Sequence, residues 1–235
     1  IGNINLDPTY INNFDFRVEW FGESAEMIAL SSFYKKFTDP IELTYFESSS
    51  DNFTPQNLGD ADVIGLEFEL RKNLGFIAAP LQNFSLNVNT SIIKSTQVYS
   101  ESERNLRTLG LRDGETLGND RELQGQSPFL INSGLNYEGA ENGIQMGVNY
   151  NVQGKTLQVV GNGFVPDVYT MPFHNLNFNY SKSFGENQNQ SVSFKISNLL
   201  DDDVESEYES YKAENKTFSK RSPGRSFSLG YNIKF

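Results

Sequence analysis

No cysteine occurs in these 235 residues, so neither a disulfide framework nor thiol chemistry enters the reading. Histidine is nearly as scarce. His174 is the only one, which excludes a histidine-based catalytic triad or a multi-histidine metal site within the chain. No run of roughly eighteen apolar residues is present, so no transmembrane helix is encoded, whereas a transmembrane barrel remains open because it crosses with strands. Positive charge is in deficit: 19 Lys and Arg stand against 30 Asp and Glu, for a formal net charge of −11. Phosphate backbones demand a clustered cationic excess, so nucleic acid is not an expected partner. A Gly-x-Ser-x-Gly elbow, a phosphate loop and a paired-carboxylate motif are missing as well, and no enzyme activity is expected. The chain opens on Ile1 without a signal peptide, which reads as a start internal to a longer protein.

What the chain does have is aromatic residues, 19 Phe and 11 Tyr, within a modest hydrophobic fraction of 37% and a mean hydropathy of −0.49. Low hydropathy with many rings suits half-polar strands whose membrane boundaries carry aromatic girdles. The last eleven residues show the pattern most clearly. Phe227, Leu229, Tyr231, Ile233 and Phe235 alternate with Ser226, Ser228, Gly230, Asn232 and Lys234, giving a strand with one apolar face. Its length fits a tilted bilayer crossing of roughly 9–11 residues, but a soluble antiparallel sheet produces the same alternation.

The loops separate the two. Strands are expected over 12–21, 26–37, 64–71, 83–94, 129–137, 144–152, 176–180, 192–196 and 226–235. Short turns follow the first, third, fifth and seventh, and long polar connections follow the second, fourth, sixth and eighth. An outer-membrane barrel sorts its loops in this way, with short periplasmic turns and long extracellular loops, and a sandwich has no reason to. Nine strands are an odd count, and an open edge in lipid is costly, so further strands are expected upstream.

The order of these segments resembles the carboxy-terminal half of the barrel of a TonB-dependent outer-membrane receptor. The resemblance is carried by Asn5-Leu6-Asp7-Pro8-Thr9 before Asn13-Phe14-Asp15-Phe16-Arg17-Val18-Glu19-Trp20-Phe21, by Phe33-Tyr34-Lys35-Lys36-Phe37 with Asp39-Pro40-Ile41-Glu42, and by Gly65-Leu66-Glu67-Phe68-Glu69. It continues through Arg121-Glu122-Leu123-Gln124-Gly125-Gln126-Ser127-Pro128, Ser197-Asn198-Leu199-Leu200-Asp201 and Gly224-Arg225-Ser226-Phe227. It implies an all-β, antiparallel up-and-down transmembrane barrel of 22 strands, of which these nine would be the last, around a plug that lies upstream. It further implies energised uptake of a scarce nutrient (an iron chelate, a cobalamin or a glycan) in the outer membrane of a Gram-negative bacterium. The partners implied are the TonB-ExbB-ExbD complex, outer-membrane lipids, the barrel-assembly machinery reading Phe235, and a surface lipoprotein where one exists. A barrel that serves only as a structural or secretion-complex component, and a plugless porin, are the alternatives.

Recognition belongs on loops held by a rigid scaffold, so the candidate ligand contacts are Tyr45, Phe46, Arg104, Arg107, Arg112, Arg121, Tyr169 and Tyr208. The competing reading makes these ordinary rim residues. The acidic series Asp201, Asp202, Asp203, Glu205, Glu207 and Glu209 lacks the spacing of a calcium loop and reads as a solvated face. No cofactor and no metal ligand are expected.

Overall fold

The computed structural model describes residues 2–23, 26–46 and 49–234. Nine long strands form the wall: β1 (Tyr10–Phe21), β2 (Met27–Thr38), β5 (Ala61–Asn73), β6 (Phe84–Val98), β8 (Phe129–Gly139), β9 (Ile144–Gln153), β12 (Asn175–Phe184), β13 (Gln190–Ser197) and β16 (Ser226–Ile233). Each pairs antiparallel with the next, in the order β1-β2-β5-β6-β8-β9-β12-β13-β16. This is the up-and-down order expected from the alternation. The sheet is open: β1 and β16 are its two edges.

Register keeps one chemistry on each face. Phe16, Ser32, Leu66, Ile92 and Phe129 form one cross-strand row, and Val148, Phe178, Ile196 and Phe227 another. A slip of one residue would turn each apolar set to the other side, so the period-2 pattern fixes the pairing. This face has no protein partner among the described residues; Leu229 is 79% exposed and Ile92 70%. Exposed apolar surface on that scale marks contact with something other than water.

The opposite face is polar. Asn89 lies across from Asn132, Asn132 from Asn151 and Asn151 from Asn175. Gly134 and Gly147 make room in this amide layer, because a Cβ at Gly134 would sit 2.7 Å from Asn149 Oδ1 and one at Gly147 2.6 Å from Asn179 Oδ1. Toward β1 the amides give way to charge: Glu69 joins Arg17 at 2.8 Å and Arg71 at 2.9 Å.

The short turns (22–26, 74–83, 140–143 and 185–189) share one end of the wall. At the other end the long connections are folded rather than irregular. The first holds β3 (Ile41–Phe46) and β4 (Ser49–Asn57), and the second holds α1 (Glu101–Leu109) and β7 (Asp120–Arg121), which pairs with the tip of β6. The third holds β10 (Thr156–Val159) and β11 (Asp167–Thr170), and the fourth holds β14 (Val204–Glu209) and β15 (Lys216–Arg221). Elements from the last two join as the sheet β10-β11-β14-β15. β3 meets this sheet through a parallel bridge between Thr44 and Val160. The sequence reading treated these stretches as polar connections. Their strands are short and are stabilised by partners in other loops, which no local pattern reports.

The hydrophobic core lies in this cap. One cluster is Tyr45, Val159 and Val168 with Phe53, Val165, Tyr208 and Phe218. A second is Leu58, Leu157 and Val160 with Tyr169. The third, Ala61, Val63 and Leu123 with Phe33, Phe37 and Ile93, seats the cap on the polar face of the wall. The cap therefore roofs the side on which Glu69 and the asparagines lie.

Candidate functional site: a cap of four outer connections

The cap is closed by a buried ionic network. Arg121, on β7, donates through Nη1 and Nη2 to Glu42 of β3 at 2.9 and 2.7 Å and through Nε to Glu103 of α1 at 2.7 Å. Its Nη1 also reaches Gln97 Oε1 of β6 at 3.3 Å. Arg107, one turn along α1, shares Glu103 through Nε at 2.9 Å and grips Asp167 of β11 at 2.8 and 3.0 Å. Glu42 and Glu103 are no more than 5% exposed at their side chains. Burial alone would lower the pKa of both guanidiniums. The hydrogen bonds and charges of Glu42 and Glu103 on Arg121, and of Asp167 and Glu103 on Arg107, outweigh it and hold both above the ordinary arginine value. Bidentate pairing of this kind fixes geometry as well as energy.

Gln124 completes the joint. Its side chain stands in for a strand: Oε1 accepts from Leu43 N at 2.6 Å, and Nε2 donates to Leu43 O at 2.8 Å and to Gln158 O at 2.7 Å. Its backbone N–H donates to Glu42 Oε1 at 2.8 Å. The helix is started by Ser100, whose hydroxyl accepts from Glu103 N at 3.2 Å. That is the Ser-x-x-Glu spacing of a capping box.

The candidate contacts fall into two groups. Tyr45 is 2% exposed and packs with Tyr208, whose ring meets Phe218 edge-on at 5.3 Å. Tyr169 lies under the Lys155 ammonium at 4.3 Å, and Lys155 in turn pairs with Glu209 at 2.8 Å. Burial pushes the Tyr45 and Tyr169 phenols up from their ordinary value, with the Tyr208 hydroxyl adding to it at Tyr45 and the Asp167 charge at Tyr169. With Arg107 and Arg121, these three tyrosines are committed to internal contacts. Phe46 is half-buried at the end of β3. Arg104 lies over the Tyr99 ring at 5.8 Å and donates to Asn119 O at 3.3 Å. Arg112 is exposed, with Nη1 donating to Tyr211 O at 3.3 Å. It borders a cleft of about 230 Å³ shared with Glu115, Phe164, Asp167, Glu209 and Tyr211. Phe235 lies outside the described residues.

Glu42, Glu103, Asp167 and Gln124 are not among the candidate contacts that residue type points to, although Glu42 and Gln124 lie within the short words of the resemblance. Only Glu103 carried a local signal, the capping spacing after Ser100. His174 sits at the start of β12, where Nδ1 meets the Tyr150 hydroxyl at 2.7 Å and the backbone N–H donates to Asp202 at 2.6 Å. Among the described residues no three His, Cys, Asp or Glu side chains are arranged to hold a metal ion.

A wall with one lipid-ready face, one polar face and a folded cap defines a segment of an outer-membrane β-barrel. The model of the outer membrane protein beta-barrel family matches residues 1–234, and the chain belongs to that family. Among solved structures it is similar to the ferric yersiniabactin uptake receptor FyuA from Yersinia pestis, with 15% identity and a TM-score of 0.63 over 97% of this chain and 30% of that one. It is similar also to the ferric citrate transporter FecA, with 13% identity and a TM-score of 0.66 over 94% and 31%. For the copper transporter OprC the values are 18% and 0.64 over 99% and 32%. The shared fold is that of part of the β-barrel of these outer-membrane proteins. The chain thus spans about three-tenths of the length of these proteins. No curated protein matches it.

Proposed function

We propose that this chain is wall and extracellular lid of a TonB-dependent transporter that takes up a scarce nutrient, such as a metal chelate, a cobalamin or a glycan. The observation that carries the reading is the cap: three connections are tied by the Arg121 and Arg107 network and the fourth is joined to them through the pairing of β11 with β14, giving one roof over a polar inner face. A roofed mouth suits capture and gated release better than free diffusion, and a hydrophilic wall suits passage of a polar cargo. In this reading the nine strands are the last of 22, a plug fills the lumen, and TonB with ExbB and ExbD supplies the energy. Arg104, Arg112, Phe46 and the rim near Tyr169 and Tyr208 meet the ligand, while Arg107, Arg121 and Tyr45 hold the surface that presents it.

The test is accumulation of labelled ferric chelates, cobalamin and oligosaccharides by cells expressing the parent protein, with and without a working TonB complex. Uptake of one class that disappears without TonB is the expected result. Equal uptake in both strains would point to a diffusion pore. No uptake of any class, with the barrel correctly inserted, would favour the structural-component reading.

A further inference from the structure

Four lysines and no arginine lie on the apolar face of the wall strands among the described residues: Lys36 of β2, Lys72 of β5, Lys94 of β6 and Lys182 of β12. The two at the turn end are engaged, Lys72 with Glu26 at 2.6 Å and Lys182 with the Asn142 carbonyl. The two at the cap end, Lys36 and Lys94, are exposed and make no ion pair or hydrogen bond among the described residues. They sit on the strands that flank β5, staggered by two residues, so their stems start about 12 Å apart and can converge over it. An unpaired cation pair at a membrane boundary, in a protein of net charge −11, calls for an anion.

Directly below them the apolar face is hollow. Ser32 sits in the row between Phe16 and Leu66, and its small side chain leaves a depression of about 590 Å³ walled by Phe14, Phe16, Tyr34, Ile64, Leu66 and Ile92. Tyr34 is pinned as one wall by its hydroxyl, which donates to Asp62 at 2.5 Å. Asp15 of β1 also borders the hollow, with the strand alternation turning its side chain to the polar face, so the carboxylate on the apolar face beside the lysines is Asp62, directly across from Lys36. It leaves a net charge of about +1 between the two lysines, and its bond to Tyr34 turns it toward the ring.

We propose that this groove is a site for one phosphate-bearing anionic lipid of the outer leaflet: an acyl chain lies in the hollow over Ser32 and the phosphate is held between the Lys36 and Lys94 ammoniums. The face is the membrane face, which makes the occupant a lipid. The cap end is the outer side of an outer-membrane barrel, which places it in the outer leaflet. The free cations select the phosphate. None of this depends on what the barrel transports.

The experiment is native mass spectrometry of the full-length parent protein in detergent, titrated with phosphatidylglycerol and, separately, phosphatidylcholine of the same chains. A single phosphatidylglycerol adduct that outlasts the phosphatidylcholine one is expected. The K36Q/K94Q variant should lose affinity by about fivefold for each lysine removed, and Ser32→Phe should remove the adduct by filling the hollow. Inorganic phosphate in excess should not displace the lipid. Equal retention of the two lipids, an unchanged preference in K36Q/K94Q, or an intact adduct in Ser32→Phe would overturn the proposal; heat-modifiable gel migration verifies that each variant is folded.

Discussion

Arg121 and Glu42 meet through two parallel hydrogen bonds, 2.9 and 2.7 Å, across 79 residues of sequence, and both side chains are almost wholly buried. The pair joins the first outer connection to the second. Glu103 and Arg107 carry the same link on to the third through Asp167.

Removing Arg121 leaves two buried carboxylates without their cation. Arg121→Ala should destabilise the cap by about 3–5 kcal/mol, while the nine wall strands, which pair with one another without its side chain, stay assembled. Limited proteolysis is the measurement: new cleavage within 98–128 and 40–60 is expected, with heat-modifiable migration unchanged. Arg121→Lys should not restore protection, because an ammonium cannot make the paired contact. Wild-type protease resistance in Arg121→Ala would show that the network does not hold the cap.

The end of α1 and the turn before β11 touch backbone to backbone. A Cβ on Gly110 would lie 2.1 Å from Gly163 O, and one on Gly163 2.4 Å from Leu106 O, the latter residue also having φ of +84°. Gly110→Ala or Gly163→Ala should therefore push the helix off the third connection at a cost of about 1–3 kcal/mol. Hydrogen exchange should rise across Glu101–Leu109 and stay constant in β8 and β9.

The two faces of the wall should respond oppositely to charge. Leu229 faces outward in mid-strand, and Ser228 faces the polar side. Leu229→Arg should cost about 2–4 kcal/mol in vesicle-inserted protein. Ser228→Arg should cost much less. Denaturant unfolding from phospholipid vesicles measures both, and equal costs would contradict the assignment of the lipid face.

Alkaline pH should loosen the cap. The Tyr45 and Tyr169 phenols are pushed above their ordinary value, chiefly by burial, so the unfolded chain gives up these protons first. The stability they protect is complete below about pH 10, the tyrosine value in the unfolded chain, and is lost as pH rises through the folded-state values. Protease resistance of the cap should be flat from neutral pH to about 10 and fall above it. Tyr45→Phe and Tyr169→Phe should each flatten that fall.

The strands of the wall were legible because their signal is local. Ser226–Ile233 alternates residue by residue, and the same alternation in β1, β5, β9 and β12 states both the strand and its two faces. Loop length supplied direction and order. The resemblance of a few short words then supplied the barrel class. The candidate arginines and tyrosines were found as residue types on the outer connections, but whether each pointed outward or inward could not be read from type alone.

Sequence alone determined a nine-strand antiparallel wall with one apolar and one polar face, because a period of two needs no information beyond the next neighbour. Tertiary structure alone decided the cap. Glu42 on the first connection, Glu103, Arg107 and Arg121 on the second and Asp167 on the third become one network only when the wall brings their strand ends to the same rim. Apart from the Glu103–Arg107 pair one helical turn apart, the partners are 18, 60 and 79 residues away, and a buried charge is chosen by the carboxylate that neutralises it, which for these no local window contains.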